Sequence, residues 1–228
     1  MQIEMWGDFT CPWSYLTLRH LRRVLADFPH RDEVEVTMRP FFLDPAQEEV
    51  TDMPWVQSLI ENEDMQPAEA LALRDRIMAL GRAEGIRFDL DSMILAPGTA
   101  AFRVLVQSHI AAWEAGENTG SDTLVLKFAD AIFRTRFEMG SNIADPEVII
   151  GCAQDIGISP QDAVFALSDP ATADDVWSQY QLAMHMGIDS VPTLLFDNTF
   201  VLQGMQTTTA LRHACDTAWK HARSRKEQ

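Results

Sequence analysis

The chain has 228 residues, and 46% of them are hydrophobic, which is the composition of a globular protein with one large or two small domains. Acidic residues outnumber basic ones by 34 to 18, and the net charge of −16 argues against nucleic acid or an anionic membrane surface as a partner. No stretch approaches the roughly 20 apolar residues of a membrane span. The first eight residues lack the pattern of a secretory signal, so we expect a cytoplasmic protein without membrane contact.

The number and spacing of the cysteines exclude two classes of stabilised fold. The three cysteines are Cys11, Cys152 and Cys215, too few and too widely separated for a disulfide framework. No pair of cysteines or histidines has the spacing of a zinc site, so we expect no metal. Because Cys152 and Cys215 lie on apolar stripes of predicted helices, we expect both in the core.

The first part of the chain predicts a strand, a helix and a second strand. Apolar and polar side chains alternate in residues 2–6, which is typical of a strand. Apolar residues then recur at helical spacing from Tyr15 to Phe28. Alternation returns in residues 33–39 and ends at Pro40. This order indicates two parallel strands joined by a right-handed crossover.

Residues from about 46 to 170 predict helices only. Phe102, Val106, Ile110 and Trp113 recur at helical spacing and predict one of them, and Ser121 is the expected N-cap of the next. The other helices of this part and the one after it are expected near residues 70–80, 124–132, 145–156 and 171–186, with a further short helix that begins at Ser159 and Pro160.

The last part of the chain predicts strands again. Residues 192–203 indicate two strands joined at Asp197 and Asn198, a pair typical of hairpin turns, and a final helix follows. Strands from the two ends of the chain can share one sheet if the helical block is an insertion between them. The pattern therefore predicts an α/β fold.

Cys11 has the clearest chemical signal. Pro12 suits the first position of a helix, so Cys11 is predicted to be its N-cap. A thiolate there would accept hydrogen bonds from the amides of Trp13 and Ser14 and would lie at the positive end of the helix dipole. Both effects favour the anion, so the pKa of Cys11 is expected to be lowered and its sulfur nucleophilic at neutral pH. An ordinary, partly buried cysteine in front of a helix fits the segment equally well.

Five segments, in the same order, resemble the DsbA-like, FrnE-type thiol oxidoreductases. Residues 8–16 (DFTCPWSYL) resemble the D-x-x-C-P-W-C-Y active-site segment of that family. The other four are 38–45 (MRPFFLDP), 83–88 (AEGIRF), 190–193 (SVPT) and 203–206 (QGMQ). The resemblance spans nearly the whole chain. It implies the architecture that also houses the kappa-class glutathione transferases and the 2-hydroxychromene-2-carboxylate isomerases.

The fold implied by this resemblance agrees with the order of the predicted elements. It is a thioredoxin-like fold with an inserted all-helical domain. Residues 1–45 and 188–228 are expected to form the thioredoxin-like domain, and residues 46–187 the helical insertion with its connecting helix.

Pro192 has a specific role under this resemblance. In the thioredoxin fold the corresponding proline follows a cis peptide bond and lies against the reactive cysteine, so we expect both features at Pro192. Val191 would then offer its backbone to an extended substrate, as in strand addition. The alternative is a proline that simply begins an edge strand.

The sequence departs from the family at the second cysteine. Ser14 occupies that position, so the site has one thiol and a second thiol must complete any disulfide exchange. We expect the Ser14 hydroxyl to donate a hydrogen bond to the sulfur of Cys11.

A second departure concerns the expected pocket between the Cys11 helix, the Val191–Pro192 turn and the helical block. Gly98 and Phe102 replace an asparagine and a histidine of the family, which predicts a more apolar pocket. We expect Trp13, Phe102 and Met205 to line it.

Three functions are compatible with these residues. The first is a thiol-disulfide oxidoreductase or isomerase that forms a mixed disulfide through Cys11 with protein disulfides or small-molecule thiols. It would hold no tightly bound cofactor and would use glutathione or mycothiol as co-substrate. The second is a glutathione-dependent transferase or isomerase of the kappa-class type. The third is a binding or chaperone module on a degenerate redox site. A monomer or a homodimer is expected.

Overall fold

A computed structural model describes residues 1–226 and contains one mixed four-stranded sheet in the order β2-β1-β3-β4. The strands are β1 (Gln2–Gly7), β2 (Glu35–Pro40), β3 (Thr193–Phe196) and β4 (Phe200–Gln203). β1 runs parallel to β2 and antiparallel to β3, and β3 is antiparallel to β4. Strands from the two ends of the chain therefore share one sheet, as the pattern predicted.

Nine α helices are found in the described part of the chain. They are α1 (Pro12–Ala26), α2 (Trp55–Asn62), α3 (Pro67–Ala83), α4 (Thr99–Ala115), α5 (Leu124–Phe137), α6 (Pro146–Asp155), α7 (Pro160–Ser168), α8 (Pro170–His185) and α9 (Thr208–Lys226). Seven of them, α2 to α8, lie between the two strand-bearing ends. Within residues 1–226 no helix has the length and apolar character needed to cross a bilayer. The division into domains at residues 45 and 188 stays a prediction.

The two faces of the sheet pack against different clusters, because successive side chains of a strand point to opposite sides. Ile3 and Met5 belong to the main core, which also contains the buried side of α1. Trp6 belongs to a smaller cluster with Phe41 and Ala183, so α8 covers the second face.

Local signals for turns and caps are confirmed. Asp197 and Asn198 have φ values of 47° and 52°, the left-handed conformations of a tight hairpin turn. Asp145 and Ser159 cap α6 and α7, since each side chain accepts a hydrogen bond from an amide of the first turn. Gly187 follows α8 with a φ of 75°, a conformation that favours glycine.

Two expectations about α4 and α5 are wrong. Thr123, not Ser121, caps α5, because its hydroxyl is the one within reach of the Leu126 amide. On α4, Ile110 and Trp113 are 39% and 58% exposed. Near the beginning of α4, Arg103 donates hydrogen bonds to the carbonyls of Ala166 in α7 and of Asp169 at the N-cap of α8. Helical periodicity alone therefore overestimated how far the buried stripe extends along α4.

Candidate active site

Cys11 lies at the N-cap of α1, in the turn that follows β1. Its amide donates a hydrogen bond to the carbonyl of Asp8 at 3.0 Å. Its own carbonyl accepts from the amides of Ser14 at 3.1 Å and Tyr15 at 3.3 Å, which begins the helix. Pro12 occupies the first helical position. The backbone therefore holds the sulfur at the start of the helix, as predicted.

The turn at Pro192 is brought against this cysteine from the other end of the chain. The Val191–Pro192 peptide bond is cis, as expected. The thiol of Cys11 donates a hydrogen bond to the carbonyl oxygen of Val191 at an S···O distance of 3.8 Å. The carbonyl of Pro192 accepts from the amide of Gly204, which anchors the turn to the end of β4. The Val191 carbonyl thus accepts from the thiol in this structure, and its role toward a substrate strand stays a prediction.

The expected lowering of the Cys11 pKa is wrong for this structure. The residue is only 3% exposed, and burial raises the pKa of its thiol to about 11. The groups of Ser14 and the amide of Trp13 lower the pKa, whereas the carboxylate of Asp8 raises it. The sulfur makes no capping hydrogen bond with the first turn of α1. Desolvation therefore outweighs the helix start, and the thiol is protonated at neutral pH.

This environment predicts a steep pH dependence of alkylation. Because the pKa is raised, the thiolate fraction falls about tenfold for each pH unit below it. We expect the iodoacetamide rate at Cys11 to rise about tenfold per unit from pH 7 to pH 10, read from the modified peptide by mass spectrometry. Cys215, fully buried with its pKa raised to about 12, is the internal reference and should react more slowly. A rate that levels off below pH 8 contradicts this prediction.

Asp8 connects the cysteine turn to the segment after β2. Its side chain is buried and accepts hydrogen bonds from the amides of Thr10 at 2.8 Å and Leu43 at 2.7 Å. Burial raises the pKa of Asp8, while these amides and the charge of Arg136 lower it. Arg136 is itself buried, which lowers its pKa to about 10, and it donates to the carbonyl of Ala96 at 3.0 Å. Sequence reasoning missed these two charges, although Asp8 is part of the motif.

Ser14 is fully buried below the cysteine. Its hydroxyl accepts a hydrogen bond from the amide of Asp8 at 3.4 Å. It also lies close enough to Cys11 to lower the pKa of the thiol. The close approach is possible because Gly7 of β1 lacks a side chain there: a Cβ at that position would lie 3.3 Å from the Ser14 oxygen.

Of the apolar residues expected to line the pocket, two lie partly at the surface. Trp13 is partly buried, and the guanidinium of Arg76 on α3 lies 5.3 Å from the centroid of its ring. Met205 is partly buried and packs against the main core.

Phe102 is not a pocket wall, so that expectation is wrong. It is fully buried, with its ring 4.3 Å from that of Phe9 and 5.7 Å from that of Phe42. Gly98 lets the start of α4 approach closely, since a Cβ there would lie only 3.0 Å from the Cβ of Phe9. The departures from the family pattern at these positions therefore build a core contact.

Comparisons with known proteins agree with the fold described above. The family model of the DSBA-like thioredoxin domain matches residues 2–216. The chain is similar to the crystal structure of a probable DsbA oxidoreductase from Streptomyces coelicolor, with 28% identity, a TM-score of 0.81 and coverage of 96% of this chain and 90% of that one. No curated protein matches the chain.

More distant solved structures show the fold alone. The cytosolic disulfide reductase DsbM from Pseudomonas aeruginosa, solved with GSH, has 13% identity and a TM-score of 0.61 over 99% of this chain and 100% of that one. A 2-hydroxychromene-2-carboxylate isomerase has 15% identity and a TM-score of 0.60 over 100% and 98% of the two chains. The predicted thioredoxin fold with its helical content is confirmed, while the narrower FrnE-type assignment stays a prediction. Because the family model spans nearly the whole sequence, the chain belongs to the DSBA-like thioredoxin domain family.

Proposed function

We propose that this protein is a thiol-disulfide oxidoreductase that works through Cys11 alone. The observation that carries the proposal is the contact between the Cys11 thiol and the Val191 carbonyl at the cis proline, with Ser14 in place of a second cysteine. A thiol at a helix start beside a backbone acceptor suits attack on a disulfide held in extended conformation once the thiol has lost its proton. Membership in a family whose solved relatives include oxidoreductases supports the same reaction class.

The exchange proceeds in two balanced steps. The Cys11 thiolate attacks one sulfur of a disulfide R–S–S–R, so that a Cys11–S–S–R bond forms, the original S–S bond breaks and R–S⁻ leaves to take up a proton. A second thiol then attacks this mixed disulfide and returns Cys11 to its thiol form. Cys152 and Cys215 are both buried in the core, so this thiol comes from solution. Glutathione or mycothiol suits that step.

The Val191 contact links the chemistry to binding. In the resting structure the thiol proton is donated to the Val191 carbonyl. When Cys11 loses that proton, the carbonyl has no donor from the thiol and can accept an N–H of the bound substrate instead. Substrate binding and thiolate formation therefore favour each other. Substrates of this kind are protein disulfides or disulfides of small thiols. Because the second step needs a pool of reduced thiols, a cytoplasmic location is part of the proposal.

The test is the intact mass of the protein after incubation with oxidised glutathione. The wild type should gain one glutathionyl group, which dithiothreitol removes, and Cys11→Ser should gain none. Cys152→Ser is the matched control, since Cys152 is 8% exposed and hydrogen-bonded to Thr135, and it should behave like the wild type. An unmodified wild type, or an adduct that persists in Cys11→Ser, contradicts the proposal.

One observation favours a second candidate, a glutathione-dependent transferase or isomerase. The Ser14 hydroxyl at the helix start lowers the pKa of the neighbouring Cys11 thiol, and the same hydroxyl could favour the thiolate of a bound cofactor. This candidate predicts non-covalent binding of reduced glutathione that Cys11→Ser retains and Ser14→Ala weakens, measured by calorimetry. If the wild type shows neither a glutathionyl adduct nor glutathione binding, the third function, a binding or chaperone module, is the one that remains.

A further inference from the structure

The side chain of Arg76 lies over the ring of Trp13, two residues after Cys11. The guanidinium of Arg76, on α3, lies 5.3 Å from the centroid of the Trp13 ring, and Trp13 is in the first turn of α1. Arg76 is exposed. Arg74 on the same helix is paired with two aspartates, but none of the ion pairs found within residues 1–226 includes Arg76.

What distinguishes Arg76 from other arginines without an ion pair, such as Arg82 on the same helix, is its position over the ring of Trp13. With a net charge of −16, most basic side chains have carboxylates to choose from, and an anionic substrate is repelled at long range. The face of an indole attracts a guanidinium and restrains it without neutralising its charge. The planar N–H donors of Arg76 therefore stay available to a ligand, and a guanidinium binds a carboxylate through two parallel hydrogen bonds.

The position of Trp13 relates this cation to the reactive sulfur. Trp13 is two residues after Cys11, and its backbone amide is near enough to lower the pKa of that thiol. The indole of Trp13 therefore belongs to the same helix start as the sulfur, and the guanidinium on α3 lies over it. A disulfide whose reacting sulfur is presented to Cys11 would have its neighbouring substituents close to Arg76.

We propose that Arg76, held over Trp13, is a carboxylate-binding residue that selects disulfides with a negative charge close to the reacting sulfur. This inference rests on the proposed function and names the substrate class of that site. It covers small disulfides such as oxidised glutathione and acidic peptide disulfides, and it disfavours cationic ones.

The test compares three disulfides that differ in charge. Oxidised glutathione is anionic, hydroxyethyl disulfide is neutral and cystamine is cationic. Formation of the Cys11 mixed disulfide is followed by intact mass, and each rate is divided by that of a free model thiol. We expect Arg76→Glu to lower the rate with oxidised glutathione about tenfold and to raise that with cystamine a few-fold. The rate with hydroxyethyl disulfide should change by less than about twofold, and the differences should shrink in about 1 M salt.

Arg82→Glu is the matched control. Arg82 is also exposed on α3, lies about 9 Å further along the helix axis and takes part in none of the ion pairs described. The Arg82→Glu substitution changes the net charge by the same amount as Arg76→Glu but at a distance from Trp13. It should therefore alter all three rates by less than about twofold. Arg76→Lys keeps the positive charge but loses the planar guanidinium. Its rate of mixed-disulfide formation with oxidised glutathione should lie between those of the wild type and Arg76→Glu. The iodoacetamide rate of Cys11 should be equal in all four proteins.

The outcomes separate this inference from the proposed function. If none of the three disulfides modifies Cys11 in the wild type, the proposed function is wrong. If they do, but Arg76→Glu changes all three rates equally or matches Arg82→Glu, the proposed function stands and the carboxylate-binding role of Arg76 is wrong. A changed iodoacetamide rate in Arg76→Glu would assign Arg76 a structural effect on the cysteine turn and would also overturn the inference.

Discussion

Ser14→Cys is expected to convert the one-thiol site into a dithiol site. Position 14 lies in the first turn of α1 with Cys11 at its N-cap, and its side chain already acts on the Cys11 thiol. An intramolecular thiol attacks a mixed disulfide far faster than a thiol in dilute solution. We expect an 11–14 disulfide in a glutathione redox series and a rise of at least about tenfold in insulin reduction by dithiothreitol.

Two variants control this experiment. Ser14→Ala removes the hydroxyl without adding a thiol and should show no gain in insulin reduction. Cys11→Ser combined with Ser14→Cys has one cysteine in the motif and should also show none. Peptide mapping identifies the bridge. A folded Ser14→Cys protein that stays fully reduced at every glutathione potential would show that the geometry of the helix start is not that of a dithiol site.

Phe102→His is expected to cost about 3 kcal/mol or more of the free energy of unfolding. The family pattern has histidine at this position, yet the Phe102 side chain is fully buried between the rings of Phe9 and Phe42. An imidazole there would lose aromatic contacts and would bury polar nitrogens without an evident partner. Urea unfolding of the wild type and the variant measures the difference.

Trp113→His provides the comparison on the same helix. Trp113 is 58% exposed near the end of α4, so this change should alter the free energy of unfolding by no more than about 0.5 kcal/mol. A Phe102→His protein as stable as the wild type, with an altered preference among disulfides, would return Phe102 to the pocket wall.

Local signals in the amino-acid chain were sufficient for much of the architecture. The turn at Asp197–Asn198 and the caps at Asp145 and Ser159 depend on a few neighbouring residues, and the structure contains them where expected. The position of Cys11 in front of Pro12 is local in the same sense. The cis bond at Pro192 was expected from the family resemblance, because a single proline has no pattern that specifies it.

Properties that depend on distant segments needed the folded chain. Helical spacing grouped Phe102 with Trp113, but only the tertiary packing, which brings Phe9 and Phe42 against Phe102, decided that one is core and the other exposed. The helix start at Cys11 argued for a lowered thiol pKa, yet the Val191 turn and the surrounding core remove water from the sulfur and raise it to about 11. Hydrogen bonding and helix start are encoded within a few residues, whereas desolvation is the sum of everything that folds over an atom. For this reason the sequence was sufficient to locate the candidate nucleophile, and the tertiary structure determined its protonation.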